Sequence, residues 1–351
     1  MTAPSVAEPI IDPQLPIVDA HHHLWFLPKA TLTAMEHANN SLSRALVPMF
    51  RCHARYLFDE FIADATSGHN VRASVFVEAR TMYRSDGPDT LKSVGEVEFA
   101  NGAAAMGASG LFGATKACAG IVGCVDLSVG EAAEDVLQAH VQSGAGRYRG
   151  IRWSAMHDDD STLMGGGGKP RLLYEPTFRK GFALLRRFGL SFDALLLEPQ
   201  LPDLVDLART FPDTQIVLNH VGVPVGIGRY AGQRAERFSL WLDSIRSLSR
   251  CENVVVKLGG LGIPICGFVS EGAPPRSSAQ LADAWRPYLE ACIETFGAER
   301  CMFESNFPVD SAAGTYATIW NAFKRITANA SPAEKRALFS GTAARVYRLD
   351  A

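Results

Sequence analysis

Short apolar runs alternate with longer helical patterns along almost the whole chain of 351 residues. This alternation is typical of repeated βα units, in which helices cover parallel strands. Eight runs are predicted to be strands, at residues 17–21, 72–79, 120–125, 149–153, 190–195, 215–219, 253–258 and 300–303. Because a helical pattern follows each of them, the count favours a single closed (β/α)8 barrel, the TIM barrel, of the α/β class.

Helical patterns cover residues 58–68, 94–106, 132–142, 176–188, 199–211, 235–249, 280–296, 316–328 and 332–340. The alternative fold is a doubly wound open sheet, but the first strand lacks the Gly-rich turn that opens a dinucleotide-binding unit. No shift in composition marks a second domain. We therefore expect residues 16–351 to form one barrel, and the Pro-rich, acidic residues 1–15 to form a disordered tail.

The composition excludes several classes of function. With 47% hydrophobic and 20% charged residues the chain can bury a large core. A net charge of −3 and the absence of a basic block argue against a nucleic-acid partner. No apolar stretch approaches the roughly 20 residues of a membrane span, and the N-terminus does not resemble a signal peptide. The seven cysteines are scattered without a C-x-x-C pair, which argues against disulfides and a Cys-based zinc site and favours a cytoplasmic protein.

Three connections are longer than a barrel requires, at residues 26–57, 154–175 and 259–279. Each follows a strand and is therefore expected at the C-terminal end of the barrel, where barrel enzymes build their active sites. The second contains the glycines 165–168, which predict a mobile lid. The acidic residues 158–160 are interpreted as solvated surface rather than as a cation site.

Polar residues lie near the C-terminal ends of most predicted strands, where an apolar interior is otherwise expected. They are His21, His23, Glu78, Arg80, Arg152, Asp193, His220, Lys257, Glu304 and Asn306. Because side chains alternate along a strand, Asp19, His21 and His23 share one face and His22 takes the other. We expect His21, His23 and His220 to be functional.

Several of these residues also have a purely structural interpretation. Asp126 and Asn219 are expected to be hydrogen-bonded core residues rather than functional ones. Lys257 is a candidate ion-pair partner for Asp193 or Glu78, because an unpaired buried charge is costly.

Six segments in order along the chain carry a resemblance to a known family: residues 19–25, 77–79, 150–152, 219–222, 256–260 and 303–308. Together they resemble the amidohydrolase superfamily, specifically the "amidohydrolase 2" group of TIM-barrel hydrolases. Within that group they are most similar to lactonases of the 2-pyrone-4,6-dicarboxylate lactonase and L-fuconolactonase type. The resemblance spans roughly residues 16–348.

The resemblance implies that His21, His23 and His220 bind a metal or orient the substrate. It also implies a strand-8 aspartate that activates water, but Asn306 stands at that place. An amide does not accept a proton as a carboxylate does. Glu304, one strand step deeper on the same face, is the candidate replacement base, and the alternative is that Glu304 only pairs with Lys257 or an arginine.

The metal content is left open by the sequence. On strand 5, metal-binding relatives carry a histidine or a carboxylated lysine, whereas this chain has Asp193. The resemblance includes lactonases that work without a metal. We therefore expect either no cofactor or one zinc or manganese ion, with ligands drawn from His21, His23, His220, Glu78, Asp193 and Glu304.

The expected function is hydrolysis of a lactone, or of a similar activated ester of a small anionic or polar acid. The three histidines would polarise the carbonyl group, and Glu304 with Asn306 would activate water. The expected substrate contacts are Arg152, Arg80 and Lys257 with a carboxylate, and Trp25, Tyr83 and Trp153 with the ring.

Two other functions are weighed against this one. The first is a metal-dependent amidohydrolase or non-oxidative decarboxylase of the same superfamily. The second is a barrel that binds a small acid without turning it over, which Asn306 alone supports. A small molecule is the expected partner in each case, with no nucleic acid and no membrane, and the oligomeric state stays open.

Overall fold

A computed structural model describes residues 8–38, 40–165, 168–269 and 276–350. Within them the chain forms ten strands: β1 (Pro16–His22), β2 (Trp25–Phe26), β3 (Arg55–Tyr56), β4 (Asn70–Val77), β5 (Lys116–Gly123), β6 (Tyr148–Ser154), β7 (Ser191–Leu195), β8 (Ile216–Leu218), β9 (Val254–Leu258) and β10 (Cys301–Phe303). All eight predicted strands are present, and the short antiparallel pair of β2 and β3 is additional.

The eight strands other than β2 and β3 form one parallel sheet in the order β1-β4-β5-β6-β7-β8-β9-β10. The segment after β10 returns to β1, because the backbone N–H of Asn306 donates to the carbonyl of His21 (2.9 Å) and that of His23 donates to the carbonyl of Phe307 (2.8 Å). A doubly wound sheet would place its first strand in the middle of the order. The sequential order and the return to β1 therefore confirm the TIM barrel.

Helices surround this barrel and cover part of its C-terminal end. They are α1 (Lys29–His37), α2 (Ser41–Cys52), α3 (Phe58–Ala65), α4 (Val94–Ala108), α5 (Ala133–Ser143), α6 (Ser161–Met164), α7 (Pro176–Phe188), α8 (Leu201–Thr210), α9 (Arg234–Ser249), α10 (Ser278–Phe296), α11 (Tyr316–Ile326), α12 (Pro332–Arg336) and α13 (Thr342–Val346). The nine predicted helical patterns all fall on helices. The last pattern, residues 332–340, covers α12 and most of a π-helical turn over Ala337–Gly341, and α13 follows it. None of the helices in the described ranges is both long and apolar enough to span a bilayer.

The barrel interior is closed at its N-terminal end by the last residues of the chain. Small and branched side chains such as Val18, Val75 and Val217 fill the interior, and Tyr347 packs among them after α13. The larger apolar core lies between the strands and the surrounding helices. All seven cysteines are free, and six of them are buried.

The structure corrects two predictions about the connections. The 26–57 segment, predicted to be a long loop, holds α1, α2 and the β2–β3 pair. Asp158 is not solvated, because it is buried and accepts hydrogen bonds from Tyr230 (2.6 Å) and Arg229 (2.9 Å). Gly166, Gly167 and residues 270–275, which belong to the predicted lid and the third connection, lie outside the described residues.

The predicted disordered tail also needs correction. Residues 1–7 lie outside the described residues, but residues 8–15 pack against α10 and α11. Glu8 accepts a hydrogen bond from the backbone N–H of Ser278 (2.7 Å), and Lys324 donates to the carbonyls of Ile11 and Asp12 (2.9 Å each). These contacts join residues about 300 positions apart, so the local composition gave no sign of them.

Candidate active site

A cavity of about 460 Å³ lies at the C-terminal end of the barrel. Its base carries six polar side chains, which we call the polar floor: His23, Glu78, Arg80, Arg152, His220 and Asn306. These residues lie on or just after five different strands, because the carboxyl ends of all the parallel strands meet at one end of a barrel. The structure thus brings together six of the residues that the sequence analysis selected.

Glu304 lies directly beneath His220. One carboxylate oxygen, Oε1, accepts hydrogen bonds from His220 Nδ1 (2.7 Å) and from the backbone N–H of His220 (3.2 Å). Because the carboxylate is an acceptor, the proton of a neutral His220 ring belongs on Nδ1. The other ring nitrogen, Nε2, then keeps its lone pair and has no hydrogen-bond partner among the described residues.

The two glycines at residues 259–260 make this pairing possible. Gly260 has a φ of +69°, and a Cβ atom there would lie 2.3 Å from Cγ and Nδ1 of His220. A Cβ atom on Gly259 would lie 2.5 Å from Cγ of Glu304. Both positions therefore exclude any larger residue, which gives the Gly-Gly pair a physical reason.

His21 connects the floor to a buried layer below it. Its Nδ1 lies 3.0 Å from Glu304 Oε2 and 3.2 Å from the ammonium group of Lys257. Its Nε2 lies 3.2 Å from His23 Nε2 and 3.2 Å from Nη1 of Arg152. The His21 ring is therefore fully enclosed, and the cavity reaches His23 and His220 instead.

His21 and His23 are both held neutral. Burial lowers the pKa of His21 well below its usual value, and the neighbouring Lys257 lowers it further. Burial also lowers the pKa of His23, with Arg152 as the next cause. His23 donates from Nδ1 to the carbonyl of Val77 (2.8 Å), so its Nε2 is an acceptor. His22 points the opposite way, as alternation predicts, and stacks on Phe61 at 3.9 Å between ring centroids.

Lys257 and Asp193 do not reach the cavity. Lys257 is completely buried and donates to Asp193 Oδ2 (2.8 Å), which also accepts from the hydroxyl of Tyr347 (2.7 Å). The expectation that Lys257 contacts the substrate is therefore not met. The structure shows the alternative, an ion pair between Lys257 and Asp193. This pair occupies the Asp193 carboxylate, which was expected as a metal ligand.

Arg152 lies in the floor with its charge balanced by Glu78. Nε donates to Glu78 Oε1 (2.7 Å) and Nη2 donates to the Glu78 carbonyl (2.6 Å). With the contact to His21, three of the five N–H groups of a guanidinium are used, which leaves two for a ligand.

Glu96 of α4 supports this part of the floor and was not predicted from the sequence. It accepts from the backbone N–H groups of Ala79 (2.8 Å) and Thr81 (3.0 Å) and so fixes the backbone around Arg80. Burial, reinforced by Glu78, raises the pKa of Glu96 to about 8. A glutamate in the first turn of a helix is usually exposed, so its pattern alone gave no signal.

Asn306 is oriented by a second residue that was not predicted, Asp310. The Asn306 amide donates from Nδ2 to Asp310 Oδ1 (2.7 Å), and Asp310 Oδ2 accepts from the backbone N–H of Gly262 (3.1 Å). Asn306 Oδ1 is buried and has no partner among the described residues. Asn306 therefore offers an acceptor at the cavity floor.

Of the three aromatic residues that were predicted to contact the substrate, only Trp25 lines the cavity. Its indole N–H donates to the carbonyl of His53 (2.6 Å). Trp153 supports the floor indirectly, since the guanidinium of Arg80 lies over its ring at 5.3 Å from the centroid. Tyr83 is 38% exposed and does not line the cavity.

Above the polar floor the cavity is walled by apolar side chains, which we call the apolar wall. One side comes from α1 and α2 and includes Met35, Leu42, Leu46 and Phe50. The facing side comes from the connections after β6, β9 and β10 and includes Met156, Ile263 and Val309. The cavity is thus polar at its base and apolar along its sides.

Three donors could hold a metal ion together. One ligand atom each from His21, His220 and Glu304 lies within 4.8 Å of the others. Glu304 Oε2 is buried and makes no hydrogen bond within the described part of the chain, although His21 Nδ1 lies 3.0 Å away. Two imidazoles and a carboxylate form a donor set that zinc uses. Of the other predicted ligands, His23, Glu78 and Asp193 do not join this group.

Comparison with known proteins decides the family. The family model described as Amidohydrolase matches residues 18–349. The chain belongs to the amidohydrolase family. This agrees with the resemblance in the six segments and with an enzyme of hydrolase type.

Individual amidohydrolase relatives extend this result. The uncharacterized protein y4mH of Sinorhizobium fredii is 33% identical over 335 residues, which are 95% of this chain and 98% of that protein. An L-fucono-1,5-lactonase of Burkholderia multivorans is 29% identical over 234 residues, 66% of this chain and 72% of the lactonase. A crystal structure of a Burkholderia multivorans amidohydrolase with bound zinc matches with a TM-score of 0.64 and 25% identity, over 95% of this chain and 99% of that one.

Proposed function

We propose that this amidohydrolase hydrolyses a lactone, or a similarly activated ester, that carries an anionic group near the reacting carbonyl. The observation that carries the proposal is the His220–Glu304 pair, placed beside Arg152 at the base of one cavity. The lactonase relative, which is similar over about two thirds of this chain, supports the choice of a lactone.

His220 is the general base in this proposal. Its Nδ1 is committed to Glu304, so Nε2 can accept a proton from a water molecule in the cavity. Glu304 orients the ring and stabilises the imidazolium that forms, which is the usual role of a carboxylate behind a catalytic histidine. This assignment differs from our expectation that Glu304 itself removes the proton, because Glu304 is completely buried beneath His220.

Arg152 and Arg80 bind the substrate. The two free N–H groups of Arg152 stabilise the negative charge on the carbonyl oxygen as water adds to the carbonyl carbon. The ring C–O bond then breaks, and the proton held by His220 passes to the departing alkoxide oxygen. Arg80, whose guanidinium lies over the Trp153 ring, binds the anionic group of the substrate.

The test is lactone hydrolysis by the intact protein, followed as acid release at constant pH. We expect δ-lactones to be hydrolysed, and we expect His220→Gln to reduce kcat at least 100-fold with the fold unchanged by circular dichroism. If no lactone or ester is turned over by the unchanged protein, the proposal is wrong, and decarboxylation or binding without turnover replaces it.

A metal-dependent amidohydrolase or non-oxidative decarboxylase is the second candidate, and the grouping of His21, His220 and Glu304 favours it. The donor set fits one zinc or manganese ion, which would polarise a substrate carbonyl as a Lewis acid. Metal content by plasma mass spectrometry separates the two candidates. One ion per chain that is required for turnover supports the second, whereas full activity after chelation supports the first.

A further inference from the structure

The apolar wall restricts what can accompany the reacting group. A substrate whose carbonyl reaches His220 and Arg152 must place the rest of its structure between α2 and the facing connections. There it meets Leu42, Leu46 and Phe50 on one side and Met156, Ile263 and Val309 on the other.

Polar partners are scarce in this upper part of the cavity. Among the described residues that line the cavity above the floor, only Thr31 and Ser154 supply hydroxyl groups. The hydroxyl of Ser154 accepts a hydrogen bond from the backbone N–H of Met156 (3.3 Å) and keeps its own proton to donate. Within the described residues, at most two hydroxyl groups are therefore left to bind polar substituents.

A polyhydroxylated substrate fits this wall poorly. Each hydroxyl that leaves water and finds no partner weakens binding by roughly tenfold or more. An alkyl or aromatic substituent instead gains from contact with the leucine, methionine and phenylalanine side chains. A cavity of about 460 Å³ also has room for more than a bare six-membered ring.

We infer that the natural substrate is a lactone or ester with an apolar substituent, alkyl or aromatic, and not a polyhydroxylated sugar lactone. The inference rests on the proposed function for the reacting group and adds the class of substituent. Leu42, Leu46 and Phe50 determine specificity, since they belong to the helix that covers the cavity.

The experiment compares two δ-lactones with the same kind of leaving group, a secondary alkoxide. The pair is δ-nonalactone, which carries a butyl chain, and D-glucono-1,5-lactone, which carries hydroxyls. We expect kcat/KM to be at least 30-fold higher for δ-nonalactone. We also expect its product, 5-hydroxynonanoate, to bind at least tenfold more tightly than gluconate by calorimetry.

Variants separate the wall from general effects on the protein. Leu46→Asn should reduce the preference for δ-nonalactone at least tenfold, and Leu42→Asn is the second wall variant. The matched control is Leu240→Asn, at a leucine of α9 that is 51% exposed and does not line the cavity, which should change the preference by less than twofold.

The outcomes distinguish this inference from the proposed function. Equal or faster hydrolysis of the sugar lactone, with gluconate bound more tightly, overturns the inference and leaves lactone hydrolysis in place. Tight binding of 5-hydroxynonanoate, without turnover of either lactone or of a δ-lactone that carries a carboxylate, keeps the inference and overturns the proposed function. If none of the three lactones is turned over and neither product binds, both are wrong.

Discussion

The polar floor of the cavity consists of side chains at the buried ends of strands. One side of the apolar wall instead consists of side chains of α1 and α2, two helices inserted between β1 and β4. Every floor histidine and Glu304 is buried and held by a neighbour within about 3 Å. By contrast α1 has no buried residue, and α2 buries only Val47 and Met49. The rigid strands thus hold the reacting groups in place, and the less anchored insertion determines what reaches them.

The largest predicted effect is on the rates of amide hydrogen exchange, because α1 is less buried than β1. The amides of α1 should exchange at least 1,000-fold faster than those of β1, because opening α1 exposes little apolar surface. Hydrogen–deuterium exchange with mass spectrometry measures both, and α10, with its eight buried residues, is the control helix. If the exchange rates of the α1 and β1 amides differ by less than tenfold, the helices of the wall are as firmly anchored as the strands of the floor. Addition of 5-hydroxynonanoate should slow exchange in α1 and leave β1 unchanged.

The next effect concerns the floor alone. Glu304→Gln keeps an acceptor for His220 Nδ1 but removes the charge that stabilises the imidazolium, so kcat for a δ-lactone should fall about 100-fold while KM stays within threefold. Stopped-flow or pH-stat kinetics measure both constants. A fall of less than threefold means that Glu304 has no catalytic role. Asn306→Asp should not restore the rate, because the new carboxylate would face the Asp310 carboxylate.

Arg80 is the residue of the polar floor that should affect substrate affinity more than rate. Arg80→Gln should raise KM about 20-fold for a lactone that bears a carboxylate, and less than threefold for δ-nonalactone, which bears none. Arg80→Lys keeps the charge and serves as the matched control. An equal rise in KM for both lactones would show that Arg80 supports the cavity instead of binding an anion.

The strands and the polar floor could be predicted because both follow from local patterns. Apolar runs bounded by turns predict strands, and parallel strands in a barrel present their carboxyl ends together. The depth of each side chain could not be predicted. Lys257 shares the face of the other candidates, yet Asp193 and Tyr347 hold it below the cavity, and only the assembled barrel brings these three residues together.

The wall was missed for a related reason. The sequence predicts a loop over the 26–57 segment, and Pro48 disfavours a helix there, yet α2 continues through it. This helix contacts α6 and the connections after β9 and β10, which lie more than 100 residues away and which no local pattern records. Glu96 and Asp310 also act through partners in other elements, so their residue types alone did not mark them.

The smallest predicted effect tests how the charges around His21 influence metal binding. Arg152 Nη1 and Lys257 Nζ both lie 3.2 Å from ring nitrogens of His21, so a divalent ion near this ring would be repelled by two cations. Arg152→Gln removes one of them and frees the Glu78 carboxylate, and it should raise the affinity for zinc about tenfold in a chelator competition assay. Arg187→Gln, whose charge lies on the surface in an ion pair with Glu134, is the control and should leave the affinity unchanged. An unchanged zinc affinity in Arg152→Gln would show that the positive charge beside His21 does not limit zinc binding.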